Sequence, residues 1–198
     1  MNSIYGDALP MLEAVRQDLM DKISSIRREM EQELGMDPVE HLLSRIKAED
    51  SMREKCRRRG LPETAESALG LSPLGPIYDA VGLRIVCAFP DDVYTIRDRL
   101  LALPQITLVE EKDYIRHVKP NGYRSLHLIL RYEDQCFAEI QLRTISMDTW
   151  AALEHHLKYK KEIHGNLDLI TAELKRCADE LASTDASMQT LRDMIHDL

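Results

Sequence analysis

The segment YRSLHLILRYEDQCFAEIQLRT, residues 123–144, decides the fold of this chain. Apolar and polar residues alternate along both of its halves, which is typical of β-strands that bury one face. A short polar stretch, EDQ, separates the halves and fits the turn of a hairpin. We therefore predict two antiparallel strands whose leucine- and isoleucine-rich face belongs to the core of a sheet.

The opposite face of this hairpin carries polar side chains. If the apolar faces of the two strands coincide, His127 lies opposite either Glu139 or Gln141, and the sequence allows both registers. Either register also brings Tyr123 and Ser125 to the same surface. One explanation of such a surface is that it is simply the solvated side of a sheet. A carboxylate, an imidazole and a phenol ring within reach of one another favour a ligand site.

Cations are concentrated in and before the first strand of the hairpin. The whole chain has a net charge of −8, yet residues 110–130 contain Lys112, Arg116, His117, Lys119, Arg124 and His127. The overall excess of acidic residues argues against a general DNA or RNA binder, which must neutralise many phosphates. The local cluster favours a compact phosphorylated ligand, although these cations could also neutralise only the protein's own carboxylates.

Further strands are expected upstream of the hairpin. Residues 80–89, AVGLRIVCAF, form an apolar and β-branched run that is typical of a buried strand. Residues 91–103 have the period of a helix, and residues 106–114 indicate another strand. Residues 36–47, MDPVEHLLSRIK, are compatible with either a strand or a helix.

Helices are expected before and between these strands. Apolar residues recur every three or four positions from Leu12 to Leu34, and a glycine follows the last of them. A short helix is expected from Ser51 to Arg59, with Asp50 as its N-cap. Residues 61–79 are rich in proline and glycine and predict mostly loop.

The C-terminal part of the chain has helical periodicity. Residues 146–162 predict a helix around Trp150, and the apolar residues from Leu167 to the end predict two further helices. Together these elements predict an α/β or α+β fold, with a mixed sheet of about five strands flanked by N- and C-terminal helices.

We divide the chain into an N-terminal helix over residues 1–36, a central domain over residues 37–162 and C-terminal helices over residues 163–198. The central domain is too small to cover every apolar stripe of the outer helices. We therefore expect both ends of the chain to join further copies of it. The alternative is that these helices pack only on the sheet of their own chain.

The composition indicates a globular cytoplasmic protein. Hydrophobic residues are 44% and charged residues 30% of the chain. The sequence contains neither a secretory signal pattern nor an apolar run of the ~18 residues that a membrane span requires. Its four cysteines form no CxxC pair, so we expect free thiols in a reducing compartment and no zinc site.

A second site, for a metal ion or an anion, is suggested by residues upstream of the hairpin. Asp79 precedes a buried strand and could hold Mg²⁺ together with Glu139, although alone it could be a turn or cap residue. Arg84 lies within an apolar strand and requires an anion or a flat stacking partner. Arg45 and Lys47 would share one face of a strand, and Ser51, Lys55 and Arg58 would share one face of a helix. The alternative is that these residues are ordinary solvated charges.

Three motifs in this order resemble the synthetase domain of RelA/SpoT proteins. They are D-x-x-G-x-R at residues 79–84, K-x-x-G-Y-R-S-x-H at residues 119–127 and E-I-Q-x-R-T at residues 139–144. The resemblance covers residues 37–162, and the length of the chain is similar to that of small alarmone synthetases. It implies a nucleotidyltransferase-like fold and transfer of pyrophosphate from ATP to the 3′-hydroxyl of GDP or GTP, with release of AMP.

The same resemblance implies the roles of individual residues. Asp79 and Glu139 would be catalytic and would ligate Mg²⁺, and Glu139 would also be the base for the 3′-hydroxyl. The residues implied to bind ATP are Arg45, Lys47, Ser51, Lys55, Arg58 and Arg84, of which Arg45 and Arg84 would enclose the adenine. The residues implied to bind GDP or GTP are Lys112, Lys119, Tyr123, His127 and Gln141, of which Tyr123 would stack on guanine.

Small alarmone synthetases commonly form homotetramers through terminal helices, so the resemblance also implies a tetramer. We expect no DNA or membrane partner. We also expect no hydrolase activity, because the only His-Asp pair is His196-Asp197. Two other functions stay open on the residues alone: a nucleotidyltransferase that transfers a nucleoside monophosphate, and a sensor that binds guanine nucleotide or RNA without turnover.

Overall fold

The computed structural model describes residues 3–159 and 166–196 of the chain. Within these residues the strands are β1 (Val39–Ile46), β2 (Val81–Cys87), β3 (Ile106–Asp113), β4 (Leu126–Tyr132) and β5 (Cys136–Thr144). A 3₁₀ turn, Gly6–Ala8, precedes the first helix. The helices are α1 (Leu9–Leu34), α2 (Glu49–Arg59), α3 (Ala65–Ala68), α4 (Pro90–Leu101), α5 (Ile145–Tyr159) and α6 (Leu167–His196).

The five strands form one mixed sheet in the order β1-β2-β5-β4-β3. Strands β2 and β5 are parallel, and the other neighbouring pairs are antiparallel. The predicted hairpin is confirmed as β4–β5, and its register places His127 opposite Gln141 rather than Glu139. Segment 36–47, which was compatible with two structures, forms edge strand β1.

The core lies on one face of this sheet, under α1 and α4. The predicted apolar stripe of α1 is buried inside its own chain up to Met30, and only its last residue, Leu34, is exposed. Its buried residues are Leu12, Val15, Leu19, Ile23, Ile26 and Met30. Gly35 ends the helix in the left-handed conformation, with φ 70°, and its N–H donates to the Glu31 carbonyl.

Three details of the predicted helices are wrong or incomplete. Helix α2 begins at Glu49, and its N-cap is Ala48, so Asp50 lies in the first turn, where its charge favours the helix dipole. The predicted loop 61–79 contains the one-turn helix α3, because Thr64 accepts a hydrogen bond from the Ser67 N–H. Helix α5 begins at Ile145, and the end of the predicted helix 146–162 lies outside the described residues.

The two helices predicted after Leu167 are a single helix, α6. The polar stretch near its middle does not interrupt the helix. Three hydroxyl side chains there each donate a hydrogen bond to the carbonyl four residues earlier in the same helix. These residues are Thr184, Ser187 and Thr190. In the part of the chain that the structure describes, no helix combines the length and the apolar character that crossing a membrane requires.

We predict that Leu19→Ala lowers the free energy of unfolding by about 2–5 kcal/mol, because Leu19 is 0% exposed in the core and its truncation leaves a cavity. Leu34→Ala is the matched control in the same helix, since Leu34 is 39% exposed. Denaturant unfolding of both variants measures the difference. Equal losses would contradict the assignment of the core face of α1.

Candidate active site

The face of the sheet opposite the core carries two rows of residues that cross it from strand to strand. One row runs through Arg45, Gly82, Glu139, Ile129 and Glu110. The next row runs through Leu43, Arg84, Gln141, His127 and Lys112. Each strand contributes side chains at every second position, so residues that are far apart in sequence become neighbours.

A cleft of about 590 Å³, open to solvent, lies over the β1–β2–β5 part of these rows. Its lining includes Arg45, Asp79, Arg84, Glu139 and Gln141. The structure thus brings together residues from two of the three motifs, at 79–84 and 139–144, and Arg45 from the strand upstream of them.

Gly82 lies on the floor of this cleft between the strands of Arg45 and Glu139. A Cβ atom at this position would meet the Arg45 side chain at 3.7 Å, an ordinary contact distance. Neither a close approach of other atoms nor a β-bulge therefore requires a glycine at position 82. Its effect is to leave the floor of the cleft open.

Asp79 lies where two lysines meet. Its Oδ2 atom is 2.6 Å from Lys55 Nζ and 3.2 Å from Lys47 Nζ. Burial raises the pKa of Asp79, but the hydrogen bond and charge of Lys55, with the charge of Lys47, hold it below its usual value. The carboxylate is thus ionised at neutral pH, and its buried Oδ1 atom has no hydrogen-bond partner among the described residues.

Glu139 is held by His127. Nδ1 of His127 lies 3.1 Å from Glu139 Oε1, and because a carboxylate only accepts, Nδ1 carries the hydrogen. This hydrogen bond lowers the pKa of Glu139, and it outweighs the opposing effect of burial. Nε2 of the same ring lies 2.8 Å from the Tyr123 hydroxyl. A chain of hydrogen bonds therefore runs from Tyr123 through His127 to an ionised Glu139.

Tyr123 lies just before β4 among aromatic rings and cations. Its ring makes edge contacts with Tyr114 and Trp150, with centroids 6.0 and 6.3 Å apart. Lys119 Nζ lies 4.8 Å from the ring centroid, and the guanidinium carbon of Arg143 lies 5.3 Å from it. The predicted stacking residue is thus surrounded by groups that fix its orientation.

Three predicted residues lie away from the cleft. Lys112 is on strand β3, within the predicted strand 106–114, and it pairs with Glu110 at 2.9 Å. Ser51 and Arg58 are exposed on α2, and neither lines the cleft. Lys55, on the same helix, reaches the site through Asp79.

Sequence reasoning assigned no catalytic or substrate-binding role to Arg143 and Asp148. The buried guanidinium of Arg143 donates to the Tyr123 hydroxyl at 2.8 Å and to Gln141 Oε1 at 3.0 Å. Asp148 Oδ1 accepts from both Arg143, at 3.0 Å, and Arg84, at 3.2 Å. One carboxylate therefore joins the ring of Tyr123 to the far side of the cleft. The sequence did contain a signal for Arg143: it lies within an apolar strand, and an arginine that is largely buried there needs a partner.

Comparisons with known proteins place the chain in one family. The family model described as "Region found in RelA / SpoT proteins" matches residues 44–164. The GTP pyrophosphokinase YjbM of Bacillus subtilis is 33% identical over 197 residues, which are 96% of this chain and 88% of YjbM. The GTP pyrophosphokinase YwaC of the same organism is 38% identical over 182 residues, which are 86% of this chain and 82% of YwaC.

Solved structures give the same result. The small alarmone synthetase 1 of Bacillus subtilis, bound to its product pppGpp, superposes with a TM-score of 0.79 at 31% identity, and the match covers 96% of each chain. The same synthetase bound to AMPCPP gives a TM-score of 0.72 at 29% identity, again over 96% of each chain. On its sequence, its fold and the order of its motifs, the chain belongs to the RelA/SpoT family.

Proposed function

We propose that this chain is a GTP pyrophosphokinase of the synthetase-only kind, which makes the alarmones ppGpp and pppGpp. It transfers pyrophosphate from ATP to the 3′-hydroxyl of GDP or GTP and releases AMP, as part of stringent-response signalling in the cytoplasm. The observation that carries this proposal is the cleft in which Glu139, held ionised by His127, lies with Asp79 and the cations of the neighbouring strands. The relatives named GTP pyrophosphokinases support it.

In the proposed reaction the 3′-oxygen of the acceptor attacks the β-phosphorus of ATP. The bond between that phosphorus and the oxygen bridging to the α-phosphate breaks, and AMP leaves with the electron pair. The proton of the 3′-hydroxyl goes to Glu139. Because the pKa of Glu139 lies below its usual value, the base is ionised at neutral pH, and activity is lost only as pH falls through that lowered pKa.

The donor nucleotide is assigned to the β1–β2 side of the cleft. Arg45 and Arg84 line this side and would enclose the adenine. The buried Nε atom of Arg84 has no hydrogen-bond partner among the described residues, so it can still donate to a ligand. The residues proposed to hold the ATP phosphates are Lys47, Lys55 and Arg58, and Ser51 is proposed to take part in binding ATP.

The carboxylates of Asp79 and Glu139 are proposed to hold Mg²⁺. The described residues contain no group of three or more potential ligand side chains, but Mg²⁺ usually takes one or two carboxylates together with substrate phosphates. The donor set fits, because Asp79 keeps one buried oxygen unpartnered within the described structure and its charge acts on Glu139. When bound, the ion offsets the mutual repulsion of the two polyphosphates.

The acceptor is assigned to the β4 side of the cleft. Tyr123 is proposed to stack on guanine, with Gln141 and His127 beneath the ribose. Lys119 now lies over the rings of Tyr114 and Tyr123, at 4.2 and 4.8 Å. We propose that Lys119 and Lys112 turn toward the acceptor phosphates when the nucleotide binds, because a phosphate attracts an ammonium group more strongly than an aromatic ring does.

Assembly is proposed to be a homotetramer. We keep the division into helix 1–36, synthetase domain 37–162 and helical end 163–198, with the terminal helices as contact elements. The apolar stripe of α1 is covered by its own chain as far as Met30. On α5 and α6, by contrast, several large apolar side chains are exposed. They are Leu153, Leu157, Met188, Leu191, Met194 and Ile195.

We predict that the purified chain converts ATP and GDP in the presence of Mg²⁺ to equal amounts of AMP and ppGpp. Glu139→Gln is expected to reduce this rate by ~10²-fold or more while ATP binding survives, because the general base is lost. Nucleotide chromatography measures both products. Glu133→Gln, in the exposed turn of the same hairpin, is the control and keeps the rate.

The products also separate the alternatives. Binding of guanine nucleotide without AMP release would favour the sensor, and release of free pyrophosphate would favour transfer of a nucleoside monophosphate. A Glu139→Gln rate above about a tenth of the wild-type rate would contradict the assignment of the base.

We predict that Tyr123→Ala raises the KM for GDP by at least about fivefold and leaves the KM for ATP unchanged, because base stacking is worth ~1–3 kcal/mol. Tyr123→Phe keeps the ring and removes only the hydroxyl, so it is the matched control and retains most of the affinity for GDP. Steady-state kinetics with each nucleotide varied in turn measures both constants. Equal changes in the two KM values would mean that Tyr123 serves packing only.

We predict that light scattering at micromolar concentration gives a mass of about four times the 22.8 kDa of one chain. The double variant Leu191→Glu with Met194→Glu is expected to give smaller species, because both side chains are at least half exposed on α6. Leu71→Glu, in an exposed loop, is the control. A wild-type mass of 22.8 kDa would overturn the proposed tetramer.

A further inference from the structure

Helix α6 is in direct contact with the loop that carries Tyr123. We call residues 114–125, between β3 and β4, the acceptor loop. Gly122 of this loop lies against the helix: a Cβ atom there would be 2.6 Å from Ala178 Cβ and 2.9 Å from Lys175 Cα. Its φ of 91° also favours glycine. The backbone of the loop is therefore packed against α6 at Gly122, directly before Tyr123, the residue proposed to stack on guanine.

An ion pair joins the same two elements on the other side of Tyr123. Arg124 Nη2 donates to Asp179 Oδ1 at 2.7 Å, and Arg124 Nη1 donates to the Gly122 carbonyl at 3.0 Å. The side chain of Arg124 is 15% exposed. One guanidinium thus binds both the loop backbone and the helix, so the loop conformation depends on the position of Asp179.

A third contact reaches the ring of Tyr123 itself. Trp150 Nε1 donates to the Leu174 carbonyl of α6 at 2.9 Å, and the indole makes the edge contact with Tyr123. Leu174 and Ala178 are one helical turn apart and therefore lie on the same face of α6. Helix α6 is therefore connected to Tyr123 in two ways, through Trp150 and through the backbone of the acceptor loop.

Helix α6 is fixed to the sheet independently of the loop. Its buried Asp185 accepts a hydrogen bond from Thr144, the last residue of β5. Arg192 donates to both carboxylate oxygens of Asp91 in the first turn of α4. These two attachments let α6 transmit the position of the sheet to the acceptor loop.

We propose that α6 is a positioning element of the acceptor site, in which Ala178 and Asp179 hold the acceptor loop so that Tyr123 is presented to the guanine base. This inference rests on the proposed function, which assigns the stacking role to Tyr123. In this proposal α6 does not itself contact the nucleotide. Ala178 and Asp179 are positioning residues. Asp179 also binds Lys175 of its own helix, but the contacts described above that lead from both residues out of α6 reach the acceptor loop, so their effect is specific to the acceptor.

The test compares two variants of α6 with two matched controls in the full chain. Asp179→Asn removes the charge that Arg124 binds, and Ala178→Leu pushes the loop away from the helix. Glu180→Gln and Ala186→Leu make the same chemical changes on the exposed side of α6. Trp150 is the only tryptophan, so its fluorescence reports GDP binding at the junction without any turnover. The KM for GDP, the KM for ATP and the thermal midpoint are measured in parallel.

We expect the KM and the fluorescence Kd for GDP to rise about fivefold in Asp179→Asn, since a partly exposed ion pair contributes up to about that factor. In Ala178→Leu we expect a rise of about tenfold or more, because the introduced side chain overlaps the loop. The KM for ATP stays within about twofold of the wild type in both variants, because α6 contacts the acceptor loop and not the donor side. Both controls keep wild-type affinity for GDP.

A wild-type affinity for GDP in Asp179→Asn, which retains the fold even if Ala178→Leu does not, would overturn the inference. Parallel increases in the KM for ATP would also overturn it, since they would indicate a general loss of structure. If the wild-type chain makes ppGpp but the variants bind GDP normally, only this inference fails. If the wild-type chain neither binds GDP nor makes ppGpp, the proposed function fails and this inference fails with it.

Discussion

The structure depends on the burial of one face of the β4–β5 hairpin. Six of its side chains are completely buried: Leu126, Leu128, Leu130, Ala138, Ile140 and Leu142. A shift of the pairing by one residue would turn these side chains to solvent, so the hydrophobic effect fixes the parity of the register. The residues between them, His127, Glu139 and Gln141, are then forced to the open face. The same constraint that stabilises the sheet therefore assembles the polar half of the site.

The charges of the site follow a common arrangement, in which each half-buried carboxylate has a cationic or hydrogen-bonding partner. Asp79 is paired with Lys47 and Lys55, and Glu139 is paired with His127. These partners keep both carboxylates ionised even though burial opposes ionisation. The proposed binding of a polyphosphate by an acidic chain relies on this arrangement, in which carboxylates of the chain orient the lysines beside the cleft.

Helices α5 and α6 complete the site from the outside of the sheet. Asp148 of α5 joins Arg84 to Arg143, and Arg143 reaches the hydroxyl of Tyr123. Trp150 of α5 connects that ring to α6. The proposed donor side, the proposed acceptor platform and the C-terminal helix are therefore linked by contacts between buried or half-buried groups, which are costly to break individually.

The sequence by itself determined the elements whose patterns are local: the period of α1, the alternation of the hairpin and the three motifs that resemble the RelA/SpoT synthetases. Neighbouring residues encode these patterns, because a helix or strand must present one apolar face to the core. The sequence narrowed the register to two choices, and only the sheet placed His127 opposite Gln141. Tertiary structure also decided that α6 is one helix, since Thr144 of β5 supplies the hydrogen-bond partner of the buried Asp185 in its polar middle. The contacts of Gly122 with Ala178 join residues more than fifty positions apart, and such contacts depend on how elements pack rather than on any local pattern.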